Sequence, residues 1–346
     1  MESSYILLLL LLSSKLERCL GMVGNASNVQ RLATCPAAED ITPCVCSQED
    51  PQVLDMDCSE VADENELAAV FQANFPSTNF RRLTIKANQN LKTLRSGDLG
   101  DASFQEIWIT KGGLEEIQEG ALSGSVSTVT YLVFNYNNIS SFPFVDLETF
   151  THVQSLDLRH NNIRGFPMLF STTLETLYLS GNPLGELPPS AFSNTSALVD
   201  IHLSSTNITQ VTLGVFRDLP NLRNLGLGDN SLTYLAGGSF KCSPTTGLID
   251  LGYNQLAGVS PASFTDCYDV WMYVHHNALT VLDEDPWKFL VLNGCYIDPY
   301  GNPLECGCDI AWAVRNSSLL QSFDIYSTCA DGRRLVELDP ADFEHC

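Results

Sequence analysis

Three residues of the types that form hydrolytic triads, Asp200, His202 and Ser204, lie within one short segment of this chain. They alternate with apolar residues, as in a β-strand with one covered and one exposed face. Side chains on the same face of a strand are about 6.6 Å apart along it, whereas a nucleophile and its base must approach to about 2.6–3.2 Å. The spacing therefore disfavours a proton relay, and we interpret the arrangement as coincidental.

Two adjacent histidines, His275 and His276, are the residues most suited to bind a metal ion. Neighbours in a strand point to opposite faces, and no third ligand is evident in the sequence. The chain also lacks a P-loop, a dinucleotide-binding fingerprint and a haem motif. We therefore expect no catalytic residue, no cofactor and no metal, and hence a protein that is not an enzyme.

The elements that position these residues are sequence repeats. In residues 222–240, apolar residues occupy positions 1, 4, 6, 11 and 14, an asparagine occupies position 9 and a phenylalanine position 19. This spacing is the signature of a leucine-rich repeat, whose unit is one short strand, one corner and one return segment. Because such a unit buries its leucines only against neighbouring copies, copies are expected on both sides.

Nine copies and a degenerate last coil match this pattern. They begin at Phe80, Phe104, Val129, Val153, Leu174, Leu198, Leu222, Thr246, Asp269 and, for the last coil, near Gly294. Position 9 should form a buried amide ladder, with residues Asn88, Gly112, Asn137, Asn161, Asn182, Thr206, Asn230, Asn254 and Asn277. The bulky residues near position 19 should fill the convex side: Leu99, Leu122, Leu147, Phe170, Phe192, Phe216, Phe240, Phe264 and Trp287.

The net charge argues against one class of partner, and the first residues predict secretion. The formal net charge of −23 repels phosphate backbones and argues against nucleic-acid binding. Residues 1–21 read as a signal peptide, because the apolar run Ile6–Leu12 is too short to span a bilayer. Cleavage could follow Gly21 or Ala26. No later stretch reaches membrane length, so we expect an extracellular protein without a membrane span.

Twelve cysteines and five N-x-S/T sequons agree with an oxidising, secretory environment. We expect glycosylation at some of the sequons, which begin at Asn25, Asn138, Asn194, Asn207 and Asn316.

Cysteine clusters flank the repeats and resemble the caps of extracellular leucine-rich-repeat proteins. The first reads C-P-x7-C-x-C-x11-C from Cys35, and the second follows N-P-L-E-C-G-C-x3-W at residues 302–312. The resemblance implies the pairs Cys35–Cys46, Cys44–Cys58, Cys306–Cys329 and Cys308–Cys346. A zinc site in the first cluster is the rival interpretation, disfavoured by secretion and by the absence of a nearby histidine.

The remaining cysteines lie in the late repeats. Cys242 and Cys267 follow the phenylalanines of successive repeats, so we predict a bond between neighbouring coils. Cys19 would leave with the signal peptide, so Cys295 would be the odd cysteine: a buried thiol, which we favour, or a partner in an intermolecular bond. The alternative pair Cys267–Cys295 would leave Cys242 unpaired.

The predicted fold is therefore α/β, a curved leucine-rich-repeat solenoid with a parallel β-sheet on its concave face and disulfide-bonded caps at both ends. We place the N-terminal cap and its helix in residues 30–79, the repeats in 80–304 and the C-terminal cap in 305–346. Within the first cap, Asp63 and Glu66 predict a helix start.

Exposed strand positions carry the candidate binding residues. Aromatic side chains are enriched in binding hot spots, although rings that cover one another and only protect the sheet are the alternative. The candidate residues for partner binding on the concave face are Trp108, Tyr131, Tyr136, Tyr178, His202, Asp250, Tyr253, Trp271, Tyr273, His275 and Tyr296.

A narrower resemblance is carried by the run from Cys35 to Cys46, by Met56–Glu60 and by Glu66–Phe71. These stretches resemble arthropod secreted proteins related to the leucine-rich, non-catalytic subunit of Oplophorus-type luciferase. The resemblance implies a scaffold that binds and stabilises a small catalytic subunit in a secreted hetero-oligomer active in luminescence. The alternative function is an extracellular recognition or adhesion protein that binds matrix, a receptor or a microbial ligand.

Overall fold

A computed structural model describes residues 33–346 of the chain. The predicted signal peptide at residues 1–21, the sequon at Asn25 and Cys19 lie outside these residues. Within the described range, one sheet contains twelve strands that follow one another in chain order. The first pair is antiparallel and every later pair is parallel. The sheet is thus the parallel sheet of a leucine-rich-repeat solenoid.

The strands of this sheet are short, and equivalent positions of successive repeats lie opposite each other, as Ile201 does with Leu177 and Leu225. In spatial order they are Val45–Asp50, Val53–Asp57, Asn79–Lys86, Ser103–Thr110, Tyr131–Val133, Ser155–Asp157, Thr176–Tyr178, Asp200–His202, Asn224–Gly226, Leu248–Asp250, Trp271–Tyr273 and Tyr296–Asp298. On the return segments, two-residue strands pair in parallel: Thr93–Leu94 with Glu116–Ile117, Tyr234–Leu235 with Gly258–Val259, and Phe240–Lys241 with Phe264–Thr265.

Helices are confined largely to the ends. The α-helices of the described range are Ala38–Ile41, Glu64–Phe71, Glu284–Leu292, Ala311–Val314 and Ser317–Leu320, and its 3-10 helices are Ser123–Ser125, Phe144–Glu148, Cys308–Ile310, Leu335–Glu337 and Pro340–Phe343. The predicted cap is present at Glu64–Phe71, where the Asp63 carboxylate accepts hydrogen bonds from the backbone N–H of Asn65 and Glu66. Within residues 33–346, no helix is long and apolar enough to cross a bilayer.

The core lies between the sheet and the return segments. Positions 4 and 6 of each repeat point inward, and all eighteen side chains are at most 2% exposed. They are Leu83, Ile85, Ile107, Ile109, Leu132, Phe134, Leu156, Leu158, Leu177, Leu179, Ile201, Leu203, Leu225, Leu227, Ile249, Leu251, Met272 and Val274. These inward positions of the predicted repeats are confirmed.

A row of phenylalanines fills the convex side, with one correction to the prediction. Phe192, Phe216, Phe240 and Phe264 stack at centroid distances of 5.6, 5.8 and 5.3 Å. Phe170, predicted to extend this row, is only half-buried. Its repeat is shorter than its neighbours, and the ring next to Phe192 is that of Phe166, itself half-buried, with centroids 5.2 Å apart; Leu169 is the buried residue of this segment.

The asparagines of position 9 link each coil to the one before it. Asn254 donates through Nδ2 to the carbonyls of Leu227 and Leu251, 3.0 and 3.1 Å away, and its Oδ1 accepts from the N–H of Leu232, 3.0 Å away. Asn302 repeats this geometry in the last coil, with Oδ1 2.9 Å from the N–H of Leu279. The ladder therefore runs into the C-terminal cap.

Among residues 33–346, five disulfides close the caps and join two coils. The bonded pairs are Cys35–Cys46, Cys44–Cys58, Cys242–Cys267, Cys306–Cys329 and Cys308–Cys346. Cys295 is a buried free thiol, with Sγ 3.7 Å from the carbonyl of Cys267, and its burial raises the pKa of the thiol.

Candidate functional site: the concave face

The corner after each strand turns side chains back onto the concave face. The position 8 residues Tyr136, His160, Tyr253 and His276 have φ between +51° and +55°, a left-handed conformation uncommon for residues other than glycine. Their rings stack from coil to coil, with centroids 4.4 Å apart for Tyr136 and His160 and 4.5 Å apart for Tyr253 and His276.

This corner overturns one expectation about the two histidines. Strand alternation predicts that His275 and His276 point to opposite faces, but the strand ends at Tyr273 and His276 has φ +51°. The left-handed turn brings both imidazoles to the same side, with ring centroids 5.8 Å apart. The two histidines therefore belong to the same surface on the concave face.

At the N-terminal end of the concave face, the chain covers its own tryptophan. The Arg82 guanidinium lies 4.7 Å from the centroid of the Trp108 ring and forms an ion pair of 2.7 Å with Glu106. Trp108 is 38% exposed as a result, whereas the nearby Tyr131 and Tyr136 are more open to solvent.

The middle of the face shows the same covering. Arg159 lies 4.6 Å from the centroid of the Tyr178 ring and is held by Asp157 in an ion pair of 2.6 Å. On its other side Tyr178 stacks on His202, with centroids 4.6 Å apart, and burial lowers the pKa of His202. In this region the rings are thus covered by neighbouring side chains of the chain itself.

The triad-like residues do not form a relay. The Asp200 carboxylate accepts a hydrogen bond of 2.5 Å from Nδ2 of Asn224, and the ring of His202 stacks on Tyr178. Among residues 33–346, no hydrogen bond joins the side chains of Asp200, His202 and Ser204. The spacing argument from the sequence agrees with this geometry.

A pocket opens where the last coils meet the C-terminal cap, and its volume is about 570 Å³. We call it the C-terminal pocket; it is lined by Tyr253, His275, His276, Asp298, Tyr300, Asp324 and Tyr326. Of the predicted residues, Tyr253 and His275 line it directly. Trp271, Tyr273 and Tyr296 pack beside it, since Trp271 contacts Tyr296 and Tyr273 contacts His275. The other predicted residues lie elsewhere on the concave face: Trp108, Tyr131, Tyr136, Tyr178, His202 and Asp250.

Two carboxylates give this pocket its charge. Asp298 accepts the backbone N–H of Tyr300 at 3.0 Å, and its other oxygen lies 3.4 Å from Nδ1 of His275, which forms no hydrogen bond within the described part of the chain. Burial raises the pKa of the Asp298 carboxyl, which outweighs the opposing effect of that backbone hydrogen bond and of His275.

Asp324 is the second carboxylate, contributed by the C-terminal cap. It accepts the N–H of Tyr326 at 2.8 Å and the hydroxyl of Tyr296 at 3.2 Å. Burial, together with the charge of Asp324, raises the pKa of Tyr296 to about 12. Tyr296 therefore remains a neutral donor that orients the Asp324 carboxylate at physiological pH.

Five of the seven lining residues were missed in the sequence. Asp298 and Tyr300 hold positions 5 and 7 of the last coil, so following the register beyond Gly294 would have found them. Asp324 and Tyr326 belong to the cap, which has no repeat register, and nothing in the sequence signals their proximity to the sheet. His276 was set aside because of the strand argument.

The four sequon asparagines within the described range, Asn138, Asn194, Asn207 and Asn316, are all exposed. One group in this range, Cys308, His345 and Cys346, brings three possible metal-ligand atoms within 4.8 Å of one another. Its two sulphur atoms are bonded to each other in a disulfide, so the group does not bind a metal in this state.

Comparison with known proteins first identifies the class of protein to which the chain belongs. A family model described as leucine rich repeat matches residues 172–232 and 220–279. Together with the parallel sheet, the amide ladder and the disulfide caps, this match defines a leucine-rich-repeat protein with disulfide-bonded caps.

A named relative then gives the family. The chain is 37% identical over 312 residues to the Oplophorus-luciferin 2-monooxygenase non-catalytic subunit of Oplophorus gracilirostris, a match that covers 89% of this chain and 87% of the relative. The chain belongs to the leucine-rich-repeat family that includes this subunit.

Solved structures share the fold. A chain of the octameric complex of Latrophilin 3, Unc5D and FLRT2 superposes with a TM-score of 0.69 at 16% identity, covering 90% of this chain and 94% of its own length. A chain of the LRIM1/APL1C complex gives a TM-score of 0.55 at 22% identity, covering 66% of this chain and 41% of its own length. At these identities the likeness concerns the fold alone.

Proposed function

We propose that this protein is a secreted, non-catalytic scaffold that binds and stabilises a protein partner through the C-terminal half of its concave face. The observation that carries the proposal is the open aromatic surface there: Tyr253 and Trp271 are 53% and 52% exposed, and they flank the C-terminal pocket. Large exposed rings in a concave surface are typical of binding hot spots.

The family relationship supports a partner and argues against catalysis. The relative is, by name, a non-catalytic subunit of a luciferin monooxygenase, and a subunit acts together with another chain. By this analogy the partner is a small catalytic luciferase subunit, and the assembly is a hetero-oligomer active in luminescence. The predicted signal peptide, the disulfide caps and the exposed sequons support secretion and glycosylation.

Affinity purification of the protein from its native secretion tests the proposal. We expect a second, smaller polypeptide in a fixed ratio to the scaffold, and we expect light from a coelenterazine-type luciferin only when that polypeptide is present. Recovery of a lone monomer would contradict the scaffold. Light from the purified chain by itself would contradict the non-catalytic assignment, and a stoichiometric partner without luminescence would restrict the proposal to partner stabilisation.

A further inference from the structure

Within the described residues, the concave face twice shows the same three-part arrangement. An aromatic ring, an arginine lying over it and a carboxylate that holds the arginine occur together at Trp108, Arg82 and Glu106. Tyr178, Arg159 and Asp157 form the second case. Both arrangements are energetically favourable, because a guanidinium stacks on aromatic faces and pairs with carboxylates in a fixed geometry.

The C-terminal pocket contains the first and third parts without the second. Its aromatic walls are Tyr253 stacked on His276, and Tyr300 set edge-on to His276 at 5.4 Å. Its carboxylates, Asp298 and Asp324, form no ion pair with a lysine or arginine among residues 33–346. No arginine or lysine lines this pocket; its nearest basic groups are the imidazoles of His276, stacked on Tyr253, and of His275, beside Asp298.

From this comparison we infer that the C-terminal pocket binds the guanidinium of an arginine side chain of the partner protein. The inference rests on the proposed function, since it names the group that the scaffold recognises. An arginine fits better than a lysine because its planar head can lie on an exposed aromatic face while it pairs with a carboxylate. The formal net charge of −23 also favours a basic partner surface.

Other ligand classes fit the pocket less well. Anions are repelled by Asp298 and Asp324. For a metal ion, at least three donor atoms should converge, yet within the described residues the one group with three such atoms inside 4.8 Å is at Cys308, His345 and Cys346, outside the pocket. The aromatic walls therefore favour an organic cation as the ligand of this pocket.

The decisive test compares two side chains of equal shape. Nα-acetylarginine amide and Nα-acetylcitrulline amide are titrated into the full chain, and binding is followed by saturation-transfer NMR. We expect the arginine compound to bind about tenfold more tightly than the citrulline compound, because the latter lacks the charge. Equal affinity of the two compounds, or tighter binding of Nα-acetyllysine amide, would overturn the inference.

Variants locate the binding. Tyr300→Ala and Asp298→Asn should each reduce the arginine affinity at least about fivefold, with Tyr234→Ala and Asp101→Asn as matched controls at exposed sites outside the pocket. Unchanged affinity in both pocket variants would place the arginine site elsewhere and refute its assignment to the C-terminal pocket. The titration of the unaltered chain stays decisive even if a variant misfolds.

The results also separate this inference from the proposed function. If a partner co-purifies but the arginine compound does not bind, the scaffold stands and the pocket assignment is wrong. If the arginine compound binds but no partner co-purifies, the pocket's affinity for a guanidinium stands, while the scaffold and the assignment to a partner's arginine are wrong.

Discussion

The imidazole of His275 rests directly on the backbone of Gly252. A Cβ atom built on Gly252 would lie 2.5 Å from both Cε1 and Nε2 of that ring, closer than non-bonded atoms can approach. The absent side chain in one coil therefore allows the ring of the next coil to lie flat. His275 in turn forms part of the wall of the C-terminal pocket and contacts Asp298.

Gly252→Ala should displace this imidazole and reshape the pocket while leaving the core packed. We expect the affinity for Nα-acetylarginine amide to fall about threefold or more, with the circular dichroism spectrum unchanged. Gly247→Ala is the matched control, because its added Cβ would meet its nearest atoms at 3.8 and 3.9 Å, an ordinary contact. Equal effects of the two variants would show that the position of His275 does not matter.

Replacement of two exposed rings, Trp271→Ala with Tyr273→Ala, should weaken partner binding and preserve the fold. Trp271 is a strand residue whose side chain points outward, and truncated hot-spot residues typically lose about 2 kcal/mol or more of binding free energy. The measurement is the dissociation constant of the co-purified partner by calorimetry. Tyr234→Ala, an exposed tyrosine outside the pocket, should bind normally. Unchanged affinity of the double variant would move the interface to another surface.

Restoring the consensus asparagine at Gly112 should destabilise the protein. Gly112 occupies position 9 of the second repeat, where the amide ladder is interrupted. Any Cβ there would lie 2.5 Å from the carbonyl oxygen of Asn88 and 3.0 Å from Oδ1 of Asn137. We expect Gly112→Asn to lower the free energy of unfolding by about 1–3 kcal/mol, measured by urea denaturation. A more stable variant would mean that the corner adjusts to take the missing amide.

Truncation of Asn254, an asparagine that does complete the ladder, gives a reference value for the change in unfolding free energy at Gly112. Asn254→Ala removes the acceptor of the Leu232 N–H and the donor to the Leu227 carbonyl, all of them buried. We expect it to lower the free energy of unfolding by about 2–4 kcal/mol, since buried backbone groups lose their partners. A loss below about 0.5 kcal/mol in the same urea experiment would imply that water replaces the amide.

The pH dependence of stability should change in Asp298→Asn. Burial raises the pKa of Asp298 in the folded state, so the folded protein binds this proton more tightly than the unfolded chain does. Its charged form therefore destabilises the fold at neutral pH, and this penalty disappears as the pH falls through the raised pKa. The variant should be more stable than the unaltered protein at pH 7, on the order of 0.5 kcal/mol, and the difference should shrink toward acid pH.

Urea denaturation at a series of pH values measures this difference. Asp101→Asn, which removes a negative charge at an exposed site, controls for the change in net charge. A stability difference that grows on acidification would have the wrong sign and would contradict the role of burial.

The repeats could be predicted because apolar residues and asparagines recur along the chain at fixed spacings. Leu225 and Leu227 lie two residues apart, as a pleated strand requires, and Asn230 follows at a fixed distance, so strand register and amide ladder were both readable. Phe170 was assigned wrongly because the fourth repeat is short, and spacing alone does not choose between it and Phe166.

The candidate site was less accessible to sequence reasoning. The direction of His276 depends on a left-handed corner that strand alternation ignores. Asp324 reaches the pocket only because the cap folds back beside the last strand, where residue 297 pairs with Phe323. Such a contact follows from the path of the chain, which no local pattern in the cap encodes.

From Asn137 onward, each amide of the ladder completes the corner of the coil that precedes it, as Asn254 does for Leu232 and Asn302 for Leu279. Along this stretch the array therefore has a direction: the corner of one coil is completed by the amide of its successor, and Asn302 of the last coil completes the corner at Leu279. Gain or loss of one whole unit between the caps would present the same donors to the same acceptors. Proteins of this kind can thus change in length by whole coils over evolution, whereas insertion of half a coil would leave a corner open.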